Sequence, residues 1–283
     1  MAPVTWWNTG GVYFLSLFGG AAAVALVVSL IARAAVRFQP RPEGVRPPTT
    51  VDLAYLRGGG EHAALACVVG LHRTGAVDRG PMMTLHATGP LPAGASALMA
   101  AVHARLGEPC GWFQVLADRQ VRTAAARMHR KLVKRGLLVS DARRRYARLT
   151  TIPLWAVAVL GVVRLVSLVG NGAEAGRGAT AGIVMVTGAA VIAGLMLLPP
   201  PWLTRAGRDT LRQAVADLRD AQRARRPGRE PSARDLMRAV AVDGPAELLA
   251  VDPAFGDAVG VHRAQRPAPR QHIFSWEYGR RKL

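Results

Sequence analysis

Two thiols and seven histidines are the side chains whose chemistry would announce an enzyme or a metal site. Cys67 and His72 stand five apart in a stretch that reads as a helix, so they do not share a face as ligands four apart would, and they are no metal pair. Cys67 lies in an apolar stripe and reads as a small core residue. His62, His86, His103 and His129 are scattered, with no carboxylate nearby in sequence to form a dyad. The triplet Gly58, Gly59 and Gly60 resembles a phosphate loop, but it follows a short helix rather than a strand and reads as a helix terminator. Phosphate-loop, serine-hydrolase, zinc-protease and paired-cysteine patterns are all missing, so neither a cofactor nor a catalytic residue is expected.

The remaining chemistry is cationic. Arg127, His129, Arg130, Lys131, Lys134 and Arg135 cluster on one stretch and Arg143, Arg144 and Arg145 follow, a run able to contact anionic lipid or the phosphates of nucleic acid. Lipid and topology are the favoured use, because the arginines at 143–145 precede an apolar block by one or two helical turns.

The elements holding these residues follow from segregation of apolar and charged residues. The chain of 283 residues is 50% hydrophobic yet carries a formal charge of +19, so the two must occupy different stretches. Residues 11–32, 152–169 and 179–198 are of spanning length, at a rise of about 1.5 Å per residue against about 30 Å of hydrocarbon. Only a helix satisfies its own backbone there. Arg33, Arg37, Arg41 and Arg46 follow the first block, Arg148 joins the arginines before the second, and Arg205, Arg208 and Arg212 follow the third. The loop at 170–178 holds Arg177 offset by Glu174, and residues 1–10 hold no basic side chain. The positive-inside rule places 1–10 and 170–178 outside and the large polar segments in the cytoplasm of a plasma-membrane protein. The first block has no positive stretch before it, which favours a retained anchor over a cleaved signal. Trp6, Trp7, Trp155 and Trp202 suit interfacial belts. Arg164, inside the second block near its outer end, reads as a snorkelling side chain. Ser16 with Gly20, and Ala190 with Gly194, have the spacing that lets membrane helices approach.

Residues 33–50 form a linker with four prolines between 34 and 49. In the domain at 51–149, helices are expected over 51–56, 61–74 and 121–135, with extended pieces at 76–78, 83–86 and 137–140. Residues 143–149 are open between a strand and a lead into the membrane. Both halves read helix, glycine, short apolar strand, which predicts a small α(+β) winged-helix-like domain. A proline stop at 199–201 precedes a helical region at 203–266, with helices over 204–224 and 232–242 and turns over 246–251 and from Pro253. Ser232 and Asp235 have capping-box spacing, and 267–283 is a basic tail.

The patterns DLAYLRGG, LHRTGAV, LVKRGLL, GVVRL and the late AVAVDGPAELLAVDP, in this order and spacing, resemble an actinobacterial family of uncharacterised multi-pass membrane proteins. The resemblance runs from about Val51 to about Val259 and implies a topology without an established activity. The chain departs from it in lacking a Gly/Cys-rich tail and in carrying Asp243 where a histidine is expected. The expectation is thus a mainly α membrane protein with three spans, serving as a non-catalytic scaffold or assembly component with a cytoplasmic protein partner. A membrane-tethered DNA-binding regulator and a membrane enzyme with a histidine-based site are the alternatives.

Overall fold

A computed structural model describes residues 11–38, 47–170, 177–197, 202–224 and 232–260. The expectations for the N-terminal residues, most of the proline linker, the tip of the helical hairpin, the proline stop, the break at 225–231 and the basic tail lie outside the described residues. In chain order the elements are α1 (Gly11–Arg37), α2 (Thr50–Arg73), β1 (Val77–Arg79), β2 (Leu85–Ala87), α3 (Ala97–Arg105), α4 (Trp112–Ala117), α5 (Arg119–Lys134), α6 (Asp141–Leu149), α7 (Ile152–Gly170), α8 (Arg177–Leu197), α9 (Arg205–Ala224), α10 (Ala233–Val242), α11 (Ala246–Val251) and α12 (Pro253–Ala258). They fall into two units, Met1–Pro40 with Val139–Arg205, and Arg41–Leu138 with Ala206–Leu283.

The first unit contains three helices long and apolar enough to cross a membrane. Their outward faces carry Leu17, Val24, Ile31, Val166, Met185 and Ile192, each more than half exposed, a surface that hydrocarbon solvates and water does not. Inside, small residues set the spacing. A methyl group on Gly182 would meet Leu15 of α1, and one on Gly194 would press on the ring of Trp155. Ala25, Leu154, Ala158 and Ala190 form one buried cluster, and Phe18 with Ile183 forms another. Of the two small-residue pairs read from the sequence, Ala190 and Gly194 therefore serve internal packing. Ser16 and Gly20 instead line an open apolar groove with Val24, Val28, Pro153 and Val157. Ser29 of α1 is fully buried, its hydroxyl 2.7 Å from the Thr150 carbonyl oxygen at the α6–α7 junction.

The stretch that was open between a strand and a lead into the membrane is helical α6, capped by Ser140. It groups with the long apolar helices of the first unit through Val36, Val139 and Ala147.

The second unit is built around α2. Ala54, Leu56, Ala63, Ala64, Ala66, Cys67, Val68, Val69 and Leu71 are all fully buried, so the apolar stripe that holds Cys67 is part of a helix enclosed on nearly every side. α10, α3 and α5 pack on it. Gly70 admits Met99 of α3 and Met237 of α10, whose sulfur would lie 2.9 Å from an added methyl. The glycines expected to end the first helical stretch do break it: Gly59 has φ 74 and ψ −158, a conformation confined to glycine, and the helix resumes beyond it.

The two glycine stops have one geometry. Gly75 has φ 71 and the Ala76 N–H donates to the Leu71 carbonyl; Gly136 has φ 69 and the Leu137 N–H donates to the Leu132 carbonyl. Each is a left-handed helix terminus that drops an apolar residue into the core. The halves then diverge, because β1 pairs antiparallel with β2 in a two-stranded hairpin whereas the chain after Leu138 enters α6. α3 and α4 occupy a stretch with no sequence expectation. Residues 206–260 join this same unit rather than forming a separate region.

Candidate functional site

The polar residues of the second unit converge on joints between segments far apart in the chain. At the first joint, Thr49 and Asp52 form a capping box at the start of α2. Asp52 Oδ2 accepts from the Thr49 N–H at 3.0 Å and from Arg135 Nη1 at 3.1 Å. The Asp52 side chain is 1% exposed, so this is a buried ion pair. It ties the start of α2 to the glycine stop of α5.

At the second joint, the Arg57 guanidinium donates to the Val242 and Asp243 carbonyls, where α10 ends before Gly244 with φ 108. A cation at a helix C-terminus satisfies orphan carbonyls and complements the helix dipole. One helical turn beyond the glycine break, His62 Nε2 lies 2.9 Å from the Val240 carbonyl oxygen and donates to it. Burial lowers the His62 pKa; the Val240 bond opposes this and the Arg57 charge reinforces it, leaving the ring neutral near pH 7. Because the folded-state value lies below the ordinary 6.5, the folded chain binds fewer protons at this residue than the unfolded chain. The stabilisation from neutral His62 is therefore complete above the ordinary value and is lost as pH falls toward the lowered one. Thermal unfolding of the full chain is expected to move to lower temperature between pH ~7 and pH ~5. His62→Gln, which keeps a donor for Val240, is expected to flatten that dependence; an unchanged pH slope in the variant would count against it.

At the third joint, His72 at the end of α2 meets Asp252, the N-cap of α12. Nε2 lies 3.1 Å from Asp252 Oδ2, Nδ1 lies 3.1 Å from the Val77 carbonyl oxygen, and the ring stacks on Phe255 at 3.7 Å with an interplanar angle of 8°. Asp252 Oδ1 also accepts from the Phe255 N–H at 3.0 Å. Burial raises the Asp252 carboxyl pKa, but the Phe255 N–H, the His72 bond and charge and Arg79 outweigh it and hold it below the usual carboxylate value. Nε2 of His72 faces the Asp252 carboxylate and Nδ1 the Val77 carbonyl, so both ring nitrogens lie against groups of the domain itself. The pair is a clasp that fastens α12 to α2 and β1.

The thiols are equally quiet. Burial pushes Cys67 up to about 12 and also raises Cys110, and both are free and buried. Neither is the thiolate that nucleophilic attack requires. Among the described residues, no group of three His, Cys, Asp or Glu is placed to hold a metal.

The cationic run divides. Arg130, Lys131 and Lys134 are exposed on α5, and Arg143 and Arg145 are exposed on α6. Arg135 and Arg144, expected as lipid or phosphate contacts, are spent on structure. Arg135 is held by Asp52, and Arg144 is 6% exposed with its guanidinium 4.0 Å over the Trp202 ring. Helical periodicity explains both, since each turns toward its own unit's interior while its neighbours turn outward.

The joints also bring together patterns that are distant in sequence. DLAYLRGG supplies Asp52 and Arg57, LHRTGAV supplies His72, LVKRGLL supplies Arg135, and the late pattern supplies Val240, Val242, Asp243 and Asp252. Comparison of the chain with family models, curated proteins and solved structures finds no match. The joints were invisible to sequence reasoning except for one sign. Thr49 and Asp52 have capping-box spacing, which marks the helix start but says nothing of Arg135.

Proposed function

We propose that the chain is an integral plasma-membrane protein that crosses the bilayer three times and holds a non-catalytic, mainly helical domain in the cytoplasm as a scaffold for a partner protein. The outward apolar faces of the three long helices support the membrane part, and the arginine flanks support an N-terminus outside and a C-terminus inside. The resemblance to the actinobacterial membrane family supports the same topology.

The observation carrying the scaffold reading is the use of Asp52, Arg57, His62, His72, Arg135 and Asp252 as struts between segments. A domain that commits its polar side chains to its own rigidity offers a shaped surface and not a reactive cleft. Affinity purification of the full chain from native membranes is expected to recover a protein at constant stoichiometry; repeated recovery of none above background would overturn the scaffold. Topology is separately tested with Phe113→Cys, since residue 113 is 65% exposed whereas the native thiols are buried. Its labelling by an impermeant maleimide on intact cells would reverse the proposed orientation.

The second reading, a membrane-tethered DNA-binding regulator, is favoured by α4 and α5 meeting at Asp118, which caps α5 through the Gln120 and Val121 N–H groups, and by Cys110, just before α4, bridging Leu85 of the β1–β2 hairpin. That combination of hairpin and helical corner is the support for a winged-helix-like domain. A mobility shift with the full chain in detergent that shows only weak, sequence-indifferent binding disposes of it.

A further inference from the structure

α5 is two-sided. Val121, Ala124, Ala125 and Leu132 seal one side into the domain. The other side presents Arg119, Arg122, Arg127, Arg130, Lys131 and Lys134, all exposed, and the helix itself contains no acidic residue. At about 100° and 1.5 Å per residue, these six cations cover half the helix circumference along about 22 Å. Asp118 at the N-cap and Asp52 are the carboxylates that face this helix in the hydrogen bonds described above. The first is turned to backbone N–H groups and the second to Arg135, which leaves the six cations uncompensated by either.

We infer that this exposed face of α5 is a binding surface for anionic phospholipid headgroups. The inference rests on the membrane-anchored reading. Phosphate is the shared chemistry of lipid and nucleic acid, and the chain itself decides between them. Only the 17 residues from 135 to 151 separate Lys134 from Ile152, the first residue of α7. A tether of this length makes membrane lipid an intramolecular ligand at high effective concentration, which free nucleic acid is not. The cytoplasmic leaflet supplies the complementary negative potential, which extends over about one Debye length. Two of these cations, Arg119 and Arg122, extend the set expected from the sequence, while Arg135 and Arg144 leave it.

The test uses the full chain in lipid nanodiscs with a nitroxide at Ala126→Cys, a site on the exposed face; Cys67 and Cys110 are buried and do not compete for the label. Relaxation by a headgroup-bound nickel chelate is read in discs of phosphatidylcholine alone and in discs that also contain phosphatidylglycerol. The expected result is an increase of about tenfold in the anionic discs, abolished in about 0.5 M salt. Arg122→Glu, Arg127→Glu, Arg130→Glu and Lys134→Glu combined are expected to abolish it too. The corresponding glutamine set is expected to weaken it while leaving thermal unfolding in phosphatidylcholine discs unchanged. Equal relaxation in both lipids would overturn the inference and leave the scaffold standing. Displacement of α5 from anionic discs by an equimolar DNA duplex would transfer the surface to nucleic acid. A chain that enters neither disc overturns the membrane reading and this inference together.

Discussion

Arg135→Met is expected to destabilise the helical domain by about 3 kcal/mol, the largest single effect foreseen for this chain. The substitution leaves the Asp52 carboxylate in a site where its side chain is 1% exposed and where, among the described residues, the Thr49 N–H becomes the one remaining donor to Oδ2. An uncompensated buried charge is far costlier than a missing surface ion pair. Asp52→Asn in the same chain removes the charge and keeps an oxygen that can cap the Thr49 N–H. The double variant is therefore expected to recover most of the loss, and that recovery distinguishes a buried charge from simple loss of packing. Unfolding of the full chain in mild detergent, followed with hydrogen exchange across α2 and α5, is the measurement. A single variant within about 0.5 kcal/mol of the parent would show that the pair contributes little.

Gly161→Ala is expected to cost about 2 kcal/mol in the membrane unit through overpacking. An added methyl would overlap the hydroxyl of Thr187 on α8 and lie 2.8 Å from Phe18 Cζ on α1, so one methyl strains the contact of all three helices. Among the described residues Thr187 Oγ1 is buried without a hydrogen-bond partner, which makes Thr187→Ala alone close to neutral. Combined with Gly161→Ala it is expected to restore part of the loss, since Phe18 still crowds the site. Thermal unfolding in nanodiscs, read from the fluorescence of Trp155 against Gly194, reports the change. Parental stability in Gly161→Ala would mean that the helices separate at this level without cost.

What the sequence by itself determined is everything held by local rules. A helix in hydrocarbon satisfies its backbone within four residues, so apolar runs of spanning length are sufficient to locate α1, α7 and α8. Glycine stops are equally local, and Gly75 and Gly136 are left-handed where the patterns placed them. α3 and α4 escaped because their caps at Ser96 and Gly111 are short-range features easily mistaken for loop.

Only the tertiary structure decided which polar residues meet. Asp52 and Arg135 are 83 residues apart, His72 and Asp252 are 180, and Arg57 and Val242 are 185. No periodicity connects such positions; they meet because α10 and α5 pack on a helix that is buried nearly all round. The same burial separates Arg135 from Arg130, Lys131 and Lys134, although all four look alike as a run of charge. Composition shows how many cations a segment carries, while packing selects which face water or lipid and which hold the protein together.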